Sequence, residues 1–268
     1  MVPVVQQLVK CRQLTKMSDL IVVKVGTGVL TRVSDGRIDG GSLVKLVTAL
    51  AEQINGGQRV ILVSSGAVGS GVSALGLEQY PSKISEKQAA AAVGQARLMH
   101  TYENLFSQFS LSVAQILLTG DNLQNEEVRA RVKNTINCLL DKGGVVPIVN
   151  QNDSVAVEEL SQGDNDMLSV KVSELMSARL LVMLTSADGL CRGEGGELIP
   201  EVSNLEEAKA QVGEASGKFS IGGMRSKLDA VELAVKAGVQ VAIGNGRQPE
   251  RLAKIINGEG VCTRFLVD

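Results

Sequence analysis

Tryptophan is absent from this chain, histidine occurs once, and aromatic residues make up only 2% of its 268 positions. Single-stranded nucleic acid is held largely by stacking bases on exposed rings, and a chain this poor in rings has little to stack with. A net charge of −2 gives no basic field, and no polybasic block occurs, so no nucleic-acid partner is expected. The single histidine, His100, lies in a stretch of helical period with no serine–acid partners around it, and reads as structural. Cys11, Cys138, Cys191 and Cys262 form no CxxC pair, so no zinc site is expected. Scattered thiols suit a reducing, cytoplasmic setting. No apolar run reaches the roughly 18 residues of a membrane span, so no membrane is expected as a partner either.

What the chain has in quantity is aliphatic. Hydrophobic residues are 44% of the total, so the core must be built from Val, Leu, Ile and Ala. That composition suits a parallel sheet covered by helices on both faces. Six apolar runs read as strands: 20–25, 59–63, 111–118, 145–149, 180–184 and 239–243. Helical periodicity lies between most of them. In "GGSLVKLVTALAEQINGGQ" the apolar residues Leu43, Leu46, Val47, Leu50 and Ile54 share a face, and Gly56–Gly57 stops the helix. "SVKVSELMSA" and "MRSKLDAVELAVKAG" behave likewise. Strands alternating with helices imply βαβ crossovers and an α/β fold with a mainly parallel sheet. The stretch 191–200 reads as a short hairpin, and 201–220 as irregular with a short helix near 205–212. Residues 1–17 read as a flexible extension, with Met17 as the natural start.

The unusual residues fall at the ends of the strands. "KVGTG", "SSGAVGSG", "TGDN", "NQND", "TSADG" and "GNGRQP" each follow one run. In open α/β sheets ligands bind at the carboxyl ends of the strands. Lys24 sits in the otherwise apolar "LIVVKV", where a lysine needs a partner. Gly26–Gly28 and Gly66–Gly69–Gly71 suit close approach of backbone N–H groups to an anion, or are simple tight turns. Gly222 and Gly223 open a helix with Arg225 and Lys227 in its first turn. Cations there oppose the helix dipole unless an anion offsets them. Asp164, Asn165 and Asp166 open another helix, where one such residue suffices as a cap. Asp153, Asp164 and Asp166 could hold Mg²⁺ through nucleotide phosphates, orient lysines, or hold an ammonium group.

In order along the chain stand "VVKVGTGVLT", "VSSGAVGSG", "AAVGQARLM", "AQILLT", "VVPIVNQNDSVA", "GDNDMLS", "LTSADGL" and "GGMRSKLDAV". This ordered set resembles the glutamate 5-kinases of the amino acid kinase family, from about Asp19 to Asp268, with "AVGQ" and "GDND" separating that branch from its relatives. The resemblance implies a three-layer αβα sandwich over 18–268, with a glutamate-binding lobe at about 18–178 and an ATP-binding lobe at about 179–268. It implies ATP-dependent phosphorylation of the γ-carboxylate of L-glutamate, with Mg²⁺ on the nucleotide and no dedicated metal site. Proline as a feedback inhibitor and a homo-oligomer are also implied.

By the same resemblance, Lys24, Lys227 and Asp166 are the catalytic residues. Ser65, Gly66, Asn150, Asp153, Asp164 and Asn165 line the glutamate pocket. Lys24, Gly26, Thr27, Thr185, Ser186, Ile221, Gly222, Gly223, Met224, Arg225, Ser226 and Lys227 hold ATP. Three positions depart from the family pattern: Gln151 in "NQND", Ser186 after Thr185, and "SIGGM". Many bacterial relatives carry a C-terminal PUA domain, for which this chain has no room. Two other readings are a kinase for another small acceptor and a nucleotide- or proline-binding regulator without turnover. The residues Lys24, Asp166 and Lys227 argue against the regulator, since binding alone does not require all three.

Overall fold

The structure, a computed structural model, describes residues 19–32, 34–155, 164–192, 196–211 and 223–267. Its centre is the strand β1 (Leu20–Val25), buried at every position. On either side of β1 lie β2 (Arg59–Ser64) and β5 (Leu180–Thr185), both parallel to it. Beyond β2 come β4 (Val145–Gln151) and the edge strand β3 (Ser112–Leu118). Beyond β5 come β7 (Gln240–Asn245), β8 (Cys262–Phe265) and the two-residue β6 (Glu201–Val202). The order is β3-β4-β2-β1-β5-β7-β8-β6. Only β8 breaks the parallel pattern by running against β7, and β6 pairs parallel to β8.

The six runs read from the sequence are all strands of this sheet, and β6 and β8 are additional. The observed strands continue past the apolar runs by polar residues at their carboxyl ends: Ser64, Asn150–Gln151, Thr185 and Asn245. Hydrophobic periodicity stops where polar side chains take over, although Ser64, Asn150, Gln151 and Thr185 stay buried and the ladder runs on. At 191–199 an antiparallel bridge between Cys191 and Leu198 bears out the hairpin. A short helix, α7 (Leu205–Gln211), follows as expected.

Period-two alternation sends successive β1 side chains to opposite faces. Ile21, Val23 and Val25 join one core with Leu43, Leu46 and Leu50 of α2 (Gly40–Asn55), Leu98 and Tyr102 of α4 (Ile84–Phe106), and Leu252 of α9 (Leu252–Ile256). Leu20 and Val22 join the other core with Ile136 of α5 (Glu126–Lys142), Val172 of α6 (Asp164–Leu175) and Leu228 of α8 (Met224–Lys236). These are the three layers of an αβα sandwich. By the same alternation Lys24 points to the α6–α8 side.

Helix caps fix where the elements begin. Asp39 accepts a hydrogen bond from Gly41 N (3.1 Å) ahead of α2, and Asn125 accepts one from Val128 N (3.1 Å) ahead of α5. After β2 the chain turns through Gly66, at φ +101°, into α3 (Ala67–Ala74). That left-handed turn favours glycine. α3 packs against α4 backbone to backbone: a Cβ on Gly71 would lie 1.8 Å from the Ala90 carbonyl oxygen, and one on Gly94 would lie 1.8 Å from that of Ala67.

Candidate active site

Lys24 stands near the carboxyl end of β1, with the amino-terminal ends of α6 and α8 on the same side of the sheet. The Asp166 carboxylate in the first turn of α6 meets Lys24 Nζ at 2.5 Å, through Oδ1. The same carboxylate meets Lys227 Nζ of α8 at 3.3 Å, through Oδ2. The three side chains are 6%, 3% and 11% exposed. The lysine buried in a valine-rich strand therefore has a partner, and that partner is shared with a second lysine.

Burial pushes the Lys24 ammonium below its usual pKa of 10.5; the Asp166 charge opposes that shift and the Lys227 charge adds to it. For Asp166, burial favours the neutral acid, but the two ammonium groups and their hydrogen bonds outweigh it and hold the carboxyl below its usual 3.8. Two ammonium groups thus converge on one carboxylate at a nearly dry point. Such a point suits an anion that carries more than one negative charge.

On one flank of these charges lie neutral amides and hydroxyls. Asn165 Nδ2, from α6, is 3.0 Å from Ser65 Oγ, 3.1 Å from Asn150 Oδ1 and 3.3 Å from Ser64 O. Asn150 Oδ1 also accepts from the backbone N–H of Gln151 at 2.8 Å, and Asn150 Nδ2 donates to Gln95 Oε1 of α4 at 2.8 Å. The Ser64 hydroxyl lies 2.8 Å from that of Tyr102, whose burial raises its pKa. Asn165 Oδ1 is buried and meets no donor among the described residues. An unmet buried acceptor is costly, so a ligand donor would be welcome there. Asp153 sits in the turn after β4, and its charge, after burial, helps push Tyr80 up to about 12.

The other flank carries more charge and more glycine. Gly26 leads into the single turn α1 (Thr27–Leu30), and nothing lies within 4 Å of a Cβ built on Gly28. Arg247, after β7, donates to the Gly28 carbonyl oxygen at 2.9 Å. Asp188, after β5, pairs with Arg251 at 3.2 Å and accepts from Asn245 Nδ2 at 2.9 Å. The Thr185 hydroxyl closes a turn with Ala187, and Ser186 is exposed. Gly223 precedes α8 with no side-chain cap, followed by Met224, exposed Arg225 and Ser226.

The structure thus brings together Lys24, Asp166, Lys227, Ser65, Asn150 and Asn165, which the sequence pointed to separately. Asp164 opens α6, as read from the sequence. Ile221 and Gly222 lie outside the described residues. Gln151, one of the departures, is buried and ends β4. His100 is exposed on α4, with Asn104 Nδ2 3.0 Å from its Nε2. Sequence reasoning assigned no part to Gln95, Tyr102 or Arg247. "AVGQ" had marked Gln95 as characteristic, but nothing local shows that α4 reaches β4. Among the described residues no cluster of three or more His, Cys, Asp or Glu could hold a metal ion.

Comparison with known proteins agrees with this geometry. Residues 19–245 match the model of the amino acid kinase family. A glutamate 5-kinase from Moorella thermoacetica is 42% identical over 96% of this chain and 69% of its own length. The glutamate 5-kinases of Clostridium acetobutylicum (43%; 92% of this chain, 94% of theirs) and Clostridium perfringens (42%; 95% and 98%) are similarly close. Among solved structures, the carbamate kinase of Giardia lamblia bound to AMP-PNP superposes with a TM-score of 0.65 at 12% identity, covering 93% of this chain and 98% of that one. The isopentenyl phosphate kinase of T. acidophilum superposes with a TM-score of 0.63 at 16% identity, covering 92% and 99%. At those identities the likeness speaks for the fold.

Proposed function

The chain belongs to the amino acid kinase family, within its glutamate 5-kinase branch, and on that premise we infer that it transfers the γ-phosphoryl group of ATP to the γ-carboxylate of L-glutamate. A carboxylate oxygen attacks the γ-phosphorus, the bond to the β–γ bridging oxygen breaks, and ADP and L-glutamyl 5-phosphate result. This is the first step of proline biosynthesis. The observation that carries the site assignment is the Lys24–Asp166–Lys227 arrangement.

The carboxylate is already a nucleophile, so no general base is required, and the absence of a catalytic histidine is no obstacle. The difficulty is electrostatic, because an anionic acceptor must approach an anionic donor. Lys24 and Lys227 offset that repulsion and take up charge on the transferring group. Asp166 holds both ammonium groups in place. Ser65, Gly66, Asn150, Asp153, Asp164 and Asn165 line the acceptor pocket, with Asn165 Oδ1 available to the substrate ammonium. Lys24, Gly26, Thr27, Thr185, Ser186 and the segment 221–227 hold the nucleotide. These assignments divide the chain into an acceptor lobe at about 18–178 and a nucleotide lobe at about 179–268. Mg²⁺ would come on the nucleotide phosphates and screen their charge.

The same reading takes proline as a feedback inhibitor, a homo-oligomer as the working form and the cytoplasm as the setting. No helix among the described residues is long and apolar enough to cross a membrane. Incubation with Mg-ATP and L-glutamate, with hydroxylamine trapping the acyl phosphate, tests the reaction. Hydroxamate with glutamate and not with aspartate or N-acetylglutamate is expected. Hydroxamate with another acceptor alone would overturn the substrate, and none with any acceptor would overturn the kinase.

A further inference from the structure

We propose that Gln95 is a positioning residue for the acceptor, acting through the amide of Asn150 to fix which end of Asn165 faces the substrate; the proposal rests on the glutamate reading above.

A side-chain amide has a donor end and an acceptor end of nearly the same shape, so its neighbours must decide between them. Here both asparagines are tied to groups whose character is fixed. The backbone N–H of Gln151 can only donate, so the end of Asn150 facing it is Oδ1. The backbone carbonyl of Ser64 can only accept, so the end of Asn165 facing it is Nδ2. Asn150 Oδ1 then takes a bond from Asn165 Nδ2 as well. This leaves Asn150 Nδ2 as a buried donor on the side of α4, where Gln95 Oε1 accepts at 2.8 Å. Asn150 is 1% exposed and Gln95 8%, so water is a poor substitute. Without that acceptor, Asn150 is left with an unsatisfied donor in its present orientation. Turned over, it would set a donor against the Gln151 N–H and the Asn165 amide group. Gln95 makes the first orientation fully bonded, and so supports the bond from Asn165 Nδ2 that, with the Ser64 carbonyl, leaves Asn165 Oδ1 facing away from the network.

The helix that carries Gln95 is seated for this purpose by its neighbour in sequence. A Cβ at Gly94 would overlap the Ala67 carbonyl oxygen, so α4 lies as deep against α3 as two backbones allow. In "AVGQ", Gly94 permits the depth and Gln95 uses it. The acceptor so presented suits an ammonium group, and the predicted consequence is selectivity for an acceptor with an α-amine over the same dicarboxylate without one.

The test compares L-glutamate with glutarate as phosphoryl acceptors in wild type, Gln95→Met and Gln95→Glu. Met has similar length and no acceptor; Glu keeps an oxygen for Asn150 Nδ2. Gln95→Met is expected to cut the glutamate-to-glutarate ratio of kcat/KM about tenfold or more, with the KM for ATP within about twofold of wild type. Gln95→Glu is expected to keep the ratio within about threefold of wild type, since the hydrogen bond survives. An equal loss with both acceptors, an unchanged ratio in Gln95→Met, or a ratio lost in Gln95→Glu would overturn the proposal. If Gln95→Met does not fold, Gln95→Leu, which also lacks an acceptor, is read in its place with the same expected loss of ratio and the same overturning outcomes. Wild-type chain that forms no hydroxamate from glutamate would instead sink the substrate reading, and the proposal with it.

Discussion

The two flanks of the Lys24–Asp166–Lys227 centre are built from different chemistry. Toward β2 and β4 a chain of neutral, buried or half-buried groups is joined by hydrogen bonds, Gln95, Asn150, Asn165 and Ser65, with Asp153 the charged residue in the turn after β4. Toward β5, β7 and α8 they are charged and more exposed: Arg225, Arg247, Arg251 and Asp188. A neutral network discriminates by direction, since a donor put where an acceptor belongs loses its bond. A charged flank attracts without demanding much direction, and solvent screens it. The difference teaches where selectivity should sit. Acceptor identity should depend on the neutral side, and nucleotide affinity on the charged side.

The largest effect expected belongs to neither flank. Lys24→Met and Lys227→Met should each lower kcat by about 10³-fold or more, because each removes a charge that stabilises the transferring group. ADP release at saturating substrates measures it, and a loss confined to KM would refute the assignment. Next comes Asp166→Asn, expected to lower kcat about 10²-fold. Because Asp166 opposes the fall in the Lys24 pKa, its removal should also move the alkaline limb of the rate profile to lower pH. A limb that stays or moves up would contradict this. Stability carries a matching sign. The Asp166 carboxyl is depressed in the folded chain, so the stability that this depression supplies is present above the usual 3.8 and is lost as pH falls through the lower folded value. Urea unfolding across that range should show the loss in wild type and not in Asp166→Asn.

Two milder changes separate the flanks. Gly94→Ala puts a Cβ into the α3–α4 contact and should cost about 1–3 kcal/mol of stability. It should raise the KM for glutamate more than that for ATP. Arg247→Ala should do the reverse, raising the KM for ATP by about two- to tenfold, the range of a single hydrogen bond, and leaving glutamate unaffected. If both variants shifted both constants equally, the division between flanks would fail. The smallest effect is reserved for Arg59→Ala. Its 2.7 Å pair with Asp141 lies in solvent, with the side chains 42% and 71% exposed. A change of no more than about 1 kcal/mol is expected by thermal unfolding, with both KM values intact.

Much of this arrangement was legible in the sequence because it is local. Each apolar run forms a strand, and each polar or glycine-rich loop lies at a carboxyl end. Lys24 drew notice because a lysine among valines needs a partner. That Asp166 is this partner came from the resemblance and not from spacing, for 142 positions separate them (166 − 24). The strands' last residues were lost for a physical reason: Ser64, Asn150 and Thr185 continue the ladder as buried polar residues that bond to their neighbours, and Asn245 is half-buried, so their polarity reads as loop. β6 and β8 were lost because runs of two and four residues carry little periodicity. Gln95 was lost because a polar residue on a helix reads as solvated unless the strand beneath it is known.

The Gly71–Gly94 contact has a mechanical side. With carbonyl oxygens on each helix lying where the other's missing Cβ atoms would be, α3 and α4 have no slack between them and translate as one piece. α3 grows out of the Ser65–Gly66 turn, and α4 bears Gln95. Strain applied at the turn is thus passed along a stiff lever to the far end of the amide chain, and the two ends of the acceptor site stay in gauge with each other.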